Sequence, residues 1–310
     1  MAAARYGQPV GLAPGVWRVT APNPSPMTHD GTQSYVVVAD GRAAVIDPGP
    51  SHREHLAALA AVLGGATLDA VLVTHSHADH SPGARPFAEA HGAPVLAFGP
   101  HGAGMSAQMR RLAAAGGDLG GGEGADAGFA PDREVADGER IGVGPIEIEA
   151  LHTPGHLSNH LSFRLVGQGI VLTGDAVMGW STTLVSPPEG DMAAQVATLG
   201  RLRALVADIT DEPPVRFLPG HGPVVEDPAR LLREQIAHRE VRRSALVAAL
   251  ADEPADAVSL ARRLYTDTPP ALLPAAARNV LATLLQLMAE GEAEPCGPLS
   301  ARVAFRSLSV

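Results

Sequence analysis

Short apolar runs rich in valine and isoleucine, each closed by glycine, proline or aspartate, recur along most of the chain. The stretch SYVVVADGRAAVIDPG, residues 34–49, predicts two strands joined by a tight hairpin turn at the Asp-Gly pair. Residues 52–65, HREHLAALAAVLGG, have helical spacing and a glycine stop, and residues 68–77, LDAVLVTHSH, predict a buried strand. This order of elements indicates a strand–helix–strand unit.

Later apolar runs also end at polar side chains. Three strand patterns each lead into a potential metal ligand: residues 139–156 into His156, residues 161–175 into Asp175 and residues 215–222 into His221. Helical patterns cover residues 191–208 and 228–250. The predicted strand before His75 is a fourth strand of this kind. Four strands therefore end next to a histidine or an aspartate.

Two parts of the chain have a different character. Residues 99–128 are rich in glycine and alanine around one short helical patch, and we interpret them as a mobile loop or lid. After about Glu240 the sequence becomes rich in alanine and leucine, and residues 293–308 suggest a small hairpin. We therefore expect a catalytic domain at residues 1–239 and a smaller domain at residues 240–310.

Composition narrows the possible functions. The 310 residues carry a formal net charge of −10, which disfavours a surface built to wrap nucleic acid or an anionic membrane. All 23 basic residues are arginine, so a Schiff-base lysine and a P-loop are excluded. The single cysteine, Cys296, cannot form an internal disulfide, and no run approaches the roughly 18 apolar residues of a membrane helix. A cytoplasmic enzyme without a membrane anchor is expected.

The stretch VLVTHSHADHSPGA, residues 71–84, concentrates four potential metal ligands in six residues: His75, His77, Asp79 and His80. Imidazole and carboxylate groups suit zinc, and a catalytic zinc keeps one coordination position open for water. A single tight turn cannot surround two ions, so further ligands must come from elsewhere. The glycine-bounded turns HTPGH, TGD and PGHG are the natural donors, because each ends a strand.

Other polar residues near these turns allow two interpretations. His152 and His160 flank His156, and each either supports a ligand or has an ordinary hydrogen-bonding or surface role. Asp47, in VIDPGP, is either a turn residue or a carboxylate that orients a metal-bound histidine. Ser81 is interpreted as a turn hydroxyl rather than a nucleophile.

In the order and spacing of these motifs the sequence resembles the metallo-β-lactamase superfamily. The resemblance covers roughly residues 10–235 and depends on the ordered motifs HSHADH at 75–80, TPGH at 153–156, TGD at 173–175 and PGHG at 219–222. It implies a four-layer αββα sandwich with two metal ions at one edge of its sheets. It also implies three sets of ligands: His75, His77 and His156 for the first ion, Asp79, His80 and His221 for the second, and Asp175 between them.

The region after PGHG is similar to the β-lactamase-like protein 2 group, in which a small winged-helix-like domain follows the sandwich. That group includes zinc-dependent endoribonucleases active on single strands, and related proteins act as thioesterases. The turn TPGHLSNH departs from the group, because Asn159 stands where an aspartate is expected. Common dizinc lactamases use a cysteine at the second metal, whereas this chain offers Asp175 there, so antibiotic hydrolysis is disfavoured.

The resemblance implies hydrolysis by two zinc ions per chain that share a bound hydroxide, and manganese or iron could take the place of zinc. Asp79 could orient the hydroxide nucleophile. Two enzymatic functions stay open: hydrolysis of a small ester or thioester, and cleavage of single-stranded RNA gripped by the C-terminal domain. Residues 240–310 contain seven arginines and eight acidic residues, and this lack of basic excess favours the small molecule. A third possibility is that the C-terminal domain mediates interactions, including homodimerisation.

Overall fold

The computed structural model describes residues 6–114, 119, 121–122, 124–210 and 212–308. Two β-sheets form its centre. The first sheet has seven strands in sequential order: β1 Val10–Ala13, β2 Val16–Thr20, β3 Gln33–Ala39, β4 Arg42–Ile46, β5 Thr67–Leu72, β6 Val95–Ala97 and β7 Arg133–Glu134. The second has five strands in reverse order: β12 Arg216–Pro219, β11 Ile170–Gly174, β10 Leu161–Leu165, β9 Ile146–His152 and β8 Arg140–Val143.

Four helices cover the outer faces of the two sheets. On the first sheet lie α1 (Arg53–Leu63) and α2 (Ala84–His91), while α4 (Met192–Asp208) and the first half of α5 (Pro228–Asp252) cover the second. One apolar cluster between the sheets joins residues of both, such as Val37 and Phe163. The layers therefore follow each other as helix, sheet, sheet and helix, which confirms the predicted αββα sandwich.

The predicted hairpin shows why its strands are apolar at every position. Alternate residues of β3 enter different clusters: Val37 faces the second sheet, and Val36 faces the helices. A sheet that is covered on both faces needs a continuous apolar run rather than an alternating one. The turn at Asp40 and Gly41 has φ angles of 48° and 73°, as expected for the Asp-Gly pair of a two-residue hairpin.

The helix ends follow local sequence signals. The α1 helix ends at Gly64, which adopts the left-handed conformation with φ 58°. The α4 helix begins after Asp191, whose carboxylate accepts hydrogen bonds from the backbone N–H groups of Ala193 and Ala194. Asp227 caps α5 in the same way, with Pro228 in the first turn. The sequence pattern predicts α1, α4 and α5, whereas α2 and the strands β1 and β2 are found only in the structure.

A second apolar core lies in the C-terminal region. It is built by α3 (Ala107–Ala114), the second half of α5, α6 (Ala257–Leu264), α7 (Leu273–Glu290) and the antiparallel hairpin of β13 (Ala293–Pro295) and β14 (Phe305–Ser307). The hairpin confirms the prediction for residues 293–308. The predicted boundary between residues 239 and 240 falls inside the continuous α5 helix, and it stays a prediction.

The α7 helix is the most buried helix of this region. One side, including Leu284 and Leu281, enters the C-terminal core, and Ala282 packs against Val185 and Met192 of the sandwich. Residues 270–290 are long and apolar enough to cross a membrane by length and composition alone, and a buried core helix passes the same test. Here α7 lies between the C-terminal core and the sandwich.

Candidate metal centre

Four strand ends meet at one edge of the sandwich. Residues 74–81 follow β5 of the first sheet, and the other three turns follow β9, β11 and β12 of the second sheet. Strands β11 and β12 run parallel with Gly174 opposite Pro219, so Asp175 and His221 leave neighbouring strands at the same edge. The structure therefore brings all seven predicted ligands together, although they come from both sheets.

The first group of side chains consists of His75, His77, His156 and Asp175, whose ligand atoms all lie within 4.8 Å of one another. His77 Nδ1 is 3.0 Å from His75 Nε2 and 2.9 Å from His156 Nε2. Ligand atoms around a tetrahedral zinc at 2.0–2.1 Å would stand about 3.3 Å apart. These nitrogens therefore face a common point at nearly the spacing that a small cation requires.

The second group consists of Asp79, His80 and His221. His80 Nε2 lies 3.3 Å from His221 Nε2 and 3.3 Å from Asp79 Oδ2, and His221 Nε2 lies 3.2 Å from Asp79 Oδ2. These separations match the same tetrahedral spacing of about 3.3 Å. Two imidazoles and one carboxylate fit a second small cation.

Asp175 lies between the two groups. Its Oδ2 is 3.6 Å from His156 Nε2 in the first group and 3.4 Å from His221 Nε2 in the second. Its Oδ1 is buried and accepts no hydrogen bond from the part of the chain that the structure describes. This atom lies 3.7 Å from His80 Nε2, beyond hydrogen-bond distance. A buried carboxylate oxygen without a hydrogen-bond donor is costly unless a cation lies nearby, so this atom supports cation binding at the centre.

The charge state differs between the two groups. Burial lowers the pKa of His77 to about 3 and the pKa of His75 well below its ordinary value, so both imidazoles are neutral and offer lone pairs. Burial also opposes the charge of His221, but the Asp175 and Asp79 carboxylates outweigh it and raise that pKa to about 9. A positive charge is thus favoured beside these carboxylates, and a metal ion satisfies this as a proton does.

Hydrogen bonds fix the ring orientation of the histidines. Asp47 accepts from the Thr74 backbone N–H at 2.7 Å, from Thr74 Oγ1 at 2.6 Å and from His80 Nδ1 at 2.9 Å. His156 Nδ1 donates to the Leu184 carbonyl at 2.7 Å. In both rings the proton on Nδ1 leaves the Nε2 lone pair free to face the centre. The contact with His80 Nδ1 decides between the two interpretations of Asp47: its carboxylate orients the ring of a predicted metal ligand.

His152 and His160 do not join either group. His152 Nε2 donates to the Ser158 carbonyl at 2.9 Å, and its ring stacks on Phe98. His160 Nε2 accepts the Asp175 backbone N–H at 3.1 Å, so it holds the chain at Asp175 rather than facing the centre. Ser81 Oγ donates to Asp126 Oδ2 at 2.8 Å and lies 3.1 Å from the His77 carbonyl oxygen, in agreement with its interpretation as a turn hydroxyl.

The predicted lid lies against the metal edge. The Ala78 N–H donates to the Gly124 carbonyl at 2.7 Å, and the Asp126 N–H donates to the Ser76 carbonyl at 2.8 Å. The helical patch is α3, which joins the C-terminal core through Met109. Residues 115–118, 120 and 123 of the lid lie outside the described residues. Its mobility stays a prediction.

Two contacts at the centre cannot be predicted from the sequence patterns. Thr32 Oγ1 donates to Asp79 Oδ2 at 2.8 Å, and the Leu184 carbonyl accepts from His156. Thr32 lies in a loop that carries no recognised motif, so only its position before β3 could have pointed to it. A backbone carbonyl such as that of Leu184 has no side-chain signature in any sequence.

Gly155 in the TPGH turn has a steric role that can be tested. Its φ is +140°, and a Cβ at this position would collide with Gln195 Cα and Cβ of α4. Gly155→Ala is expected to lower the free energy of unfolding by about 2 kcal/mol or more, because strain and overpacking add. Chemical denaturation measures this loss. Gly138→Ala, at a glycine with φ +76° and open space around it, is the matched control.

If Gly155→Ala and Gly138→Ala destabilise the protein equally, the steric role of Gly155 is wrong. If Gly155→Ala displaces the turn, metal content should fall together with stability, since His156 is the next residue.

Comparisons with known proteins agree with this architecture. Residues 27–221 match the family model of the metallo-beta-lactamase superfamily, and residues 257–295 match the beta-lactamase associated winged helix domain. The chain is 26% identical over 291 residues to a beta-lactamase-like protein 2 homolog from Caenorhabditis elegans, and the match covers 91% of this chain and 87% of the relative. These matches confirm the predicted resemblance and the winged-helix C-terminal domain.

Two further comparisons extend the picture. An atrochrysone carboxyl ACP thioesterase from Aspergillus fumigatus is 27% identical, over 77% of this chain and 66% of the relative. A crystal structure of a metallo-beta-lactamase family protein from Thermus thermophilus superposes with a TM-score of 0.73 at 25% identity, over 96% of this chain and 100% of that one. The fold therefore extends through the C-terminal region as well as the sandwich.

Proposed function

Because the chain belongs to the metallo-β-lactamase superfamily, whose members are generally hydrolases, we propose that it is a zinc-dependent hydrolase of small ester or thioester substrates. The observation that carries this proposal is the pair of ligand groups with Asp175 between them, whose buried Oδ1 accepts no hydrogen bond from the residues that the structure describes. The thioesterase among the relatives supports the substrate class.

The residues that would hold the two ions are those of the two groups. One ion would be bound by His75, His77 and His156, and the other ion by Asp79, His80 and His221. Asp175 would bind both ions. When bound, two such ions supply Lewis acidity that lowers the pKa of a water to about 7 and polarises the carbonyl of the substrate. Imidazole and carboxylate ligands suit zinc, although manganese and iron accept the same donors.

The chain itself supplies orientation and charge. The Asp79 side chain is 27% exposed, so it can contact water at the mouth of the site. Its Oδ2 accepts a hydrogen bond from Thr32 at 2.8 Å, which fixes the plane of the carboxylate. Asp79 would orient the attacking water, which is the catalytic role proposed for it.

Single-stranded RNA is less well supported as a substrate. A surface that grips RNA normally carries an excess of basic side chains. Residues 240–310 contain seven arginines and eight acidic residues, so the C-terminal region has no such excess. The cytoplasmic location and the homodimer stay predictions.

The proposal is tested by metal analysis combined with a substrate panel. Protein purified without chelator should contain about two zinc ions per chain and hydrolyse short acyl thioesters. Chelation should abolish the activity, and added zinc should restore it. The panel should include esters, lactones and single-stranded RNA. Cleavage of RNA alone would replace the substrate class, and full activity in metal-free protein would overturn the proposal.

A further inference from the structure

We propose that Asn279, in the winged-helix region, positions the metal-facing ring of His156 through one shared peptide group. Asn279 Oδ1 accepts a hydrogen bond from the Val185 backbone N–H at 2.9 Å. His156 Nδ1 donates to the Leu184 carbonyl at 2.7 Å. The Leu184 carbonyl and the Val185 N–H belong to the same peptide unit. The contacts therefore form a continuous chain from α7 to the imidazole.

The direction of each hydrogen bond in this chain is determined by chemistry. A backbone N–H can only donate, so the oxygen of the Asn279 amide must face Val185. A backbone carbonyl can only accept, so the proton of neutral His156 must lie on Nδ1. The Nε2 lone pair is then presented to the centre, 2.9 Å from His77 Nδ1. Asn279 thus selects both the orientation and the tautomer of this ring through the peptide.

Hydrogen bonds in series polarise one another. A peptide whose N–H is engaged by Asn279 has a more electron-rich carbonyl, and this carbonyl holds the His156 proton more firmly. The site is also protected from water, because Val185 is fully buried and packs against Ala282 of α7. Water therefore has little access to replace the amide if it is removed.

Neighbouring contacts hold the same segment from α7. The Arg278 side chain donates to Ser186 Oγ at 2.8 Å and to the Pro187 carbonyl. These contacts fix the residues after Val185 but do not touch the Leu184–Val185 peptide. The structure thus separates a general attachment by Arg278 from a specific effect on His156 by Asn279, and variants of Asn279 alone test the specific effect.

The inference rests on the proposed metal function, and its experiment uses the whole chain. Asn279→Leu removes the acceptor at similar size, Asn279→Ala removes it with less bulk, and Asn279→Asp keeps an acceptor oxygen. Gln108→Leu is the control, because the Gln108 amide donates to the Leu285 carbonyl of α7 without contacting residues 184–185. Zinc affinity is measured by competition with a chelator, and the His156 tautomer in metal-free protein by long-range ¹H–¹⁵N NMR.

Asn279→Leu and Asn279→Ala should weaken zinc binding at the first group about tenfold. This is the lower end of the range of about 10–100-fold by which metal affinity falls when a residue that supports a ligand is lost. They should also weaken the Nδ1–H signature of His156. Asn279→Asp and Gln108→Leu should stay near wild type in both measurements. Unchanged affinity and tautomer in Asn279→Leu or Asn279→Ala overturn the inference, and so does an equal loss in Gln108→Leu. A wild-type chain that binds no metal instead overturns the proposed function.

Discussion

Asp175→Asn is expected to release at least one metal ion and to reduce turnover by at least about 100-fold, with little change in the fold. Loss of a group that only supports a ligand costs about 10–100-fold in affinity or activity, so loss of the anion between two dications should cost more. The amide keeps the shape of the side chain but carries no charge. Elemental analysis, steady-state kinetics and thermal denaturation measure the three expectations separately.

The control for this variant is Asp69→Asn, which makes the same chemical change at a carboxylate that pairs with Arg42 on β4. That variant should keep its metal and its turnover. A fully loaded structure in which Asp175 and His221 lie well beyond a ligand bond of about 2.0–2.2 Å from any ion would contradict the prediction. The turn at residues 75–80 would then be a self-contained mononuclear site.

His77→Ala is expected to remove the metal of the first group together with activity. His77 Nδ1 lies within 3.0 Å of both His75 Nε2 and His156 Nε2, so its loss leaves only two imidazoles and Asp175 around this point. A zinc site with an incomplete ligand shell binds weakly. Activity should fall by at least about 100-fold, by the same comparison with supporting groups.

His91→Ala is the matched control for His77→Ala, because the His91 ring donates to the Phe87 carbonyl within α2 and lies in neither group. It should behave as wild type in metal content and turnover. A well-folded His77→Ala protein with unaltered activity and no bound transition metal would refute the assignment of this site.

Local signals predicted much of the sandwich. The hairpin of β3 and β4 follows from an Asp-Gly pair between apolar runs, and α1 from its spacing and its glycine stop. Helix α2 is not predicted from the sequence, because ARPFAEAH is short, mixes polar and apolar residues and has no N-cap side chain. Strands β1 and β2 are short and partly exposed, so their apolar signal is weak.

The proposed ligand residues stand out in the sequence because histidine and aspartate in a dense, ordered motif have a recognisable chemistry, and the structure places them in two groups. Their supporting contacts were less so. Asp47 reaches His80 across 33 positions, and Asn279 reaches Val185 across 94. No periodicity encodes such distances, because they depend on how the sheets and α7 pack. The sequence could offer two interpretations of Asp47, and only the three-dimensional contacts could decide between them.

The proposed ligands lie at the ends of strands from both sheets, and this has a consequence for the synthesis of the protein. His75 and His221 are separated by 146 positions in the sequence. A nascent chain that has exposed β5 carries the HSHADH turn, but it still lacks the β11 and β12 ends that bear Asp175 and His221. No early fragment on the ribosome can therefore assemble both groups. If the two groups bind metal ions as proposed, the complete site would form only after residue 221 has been synthesised and both sheets have docked.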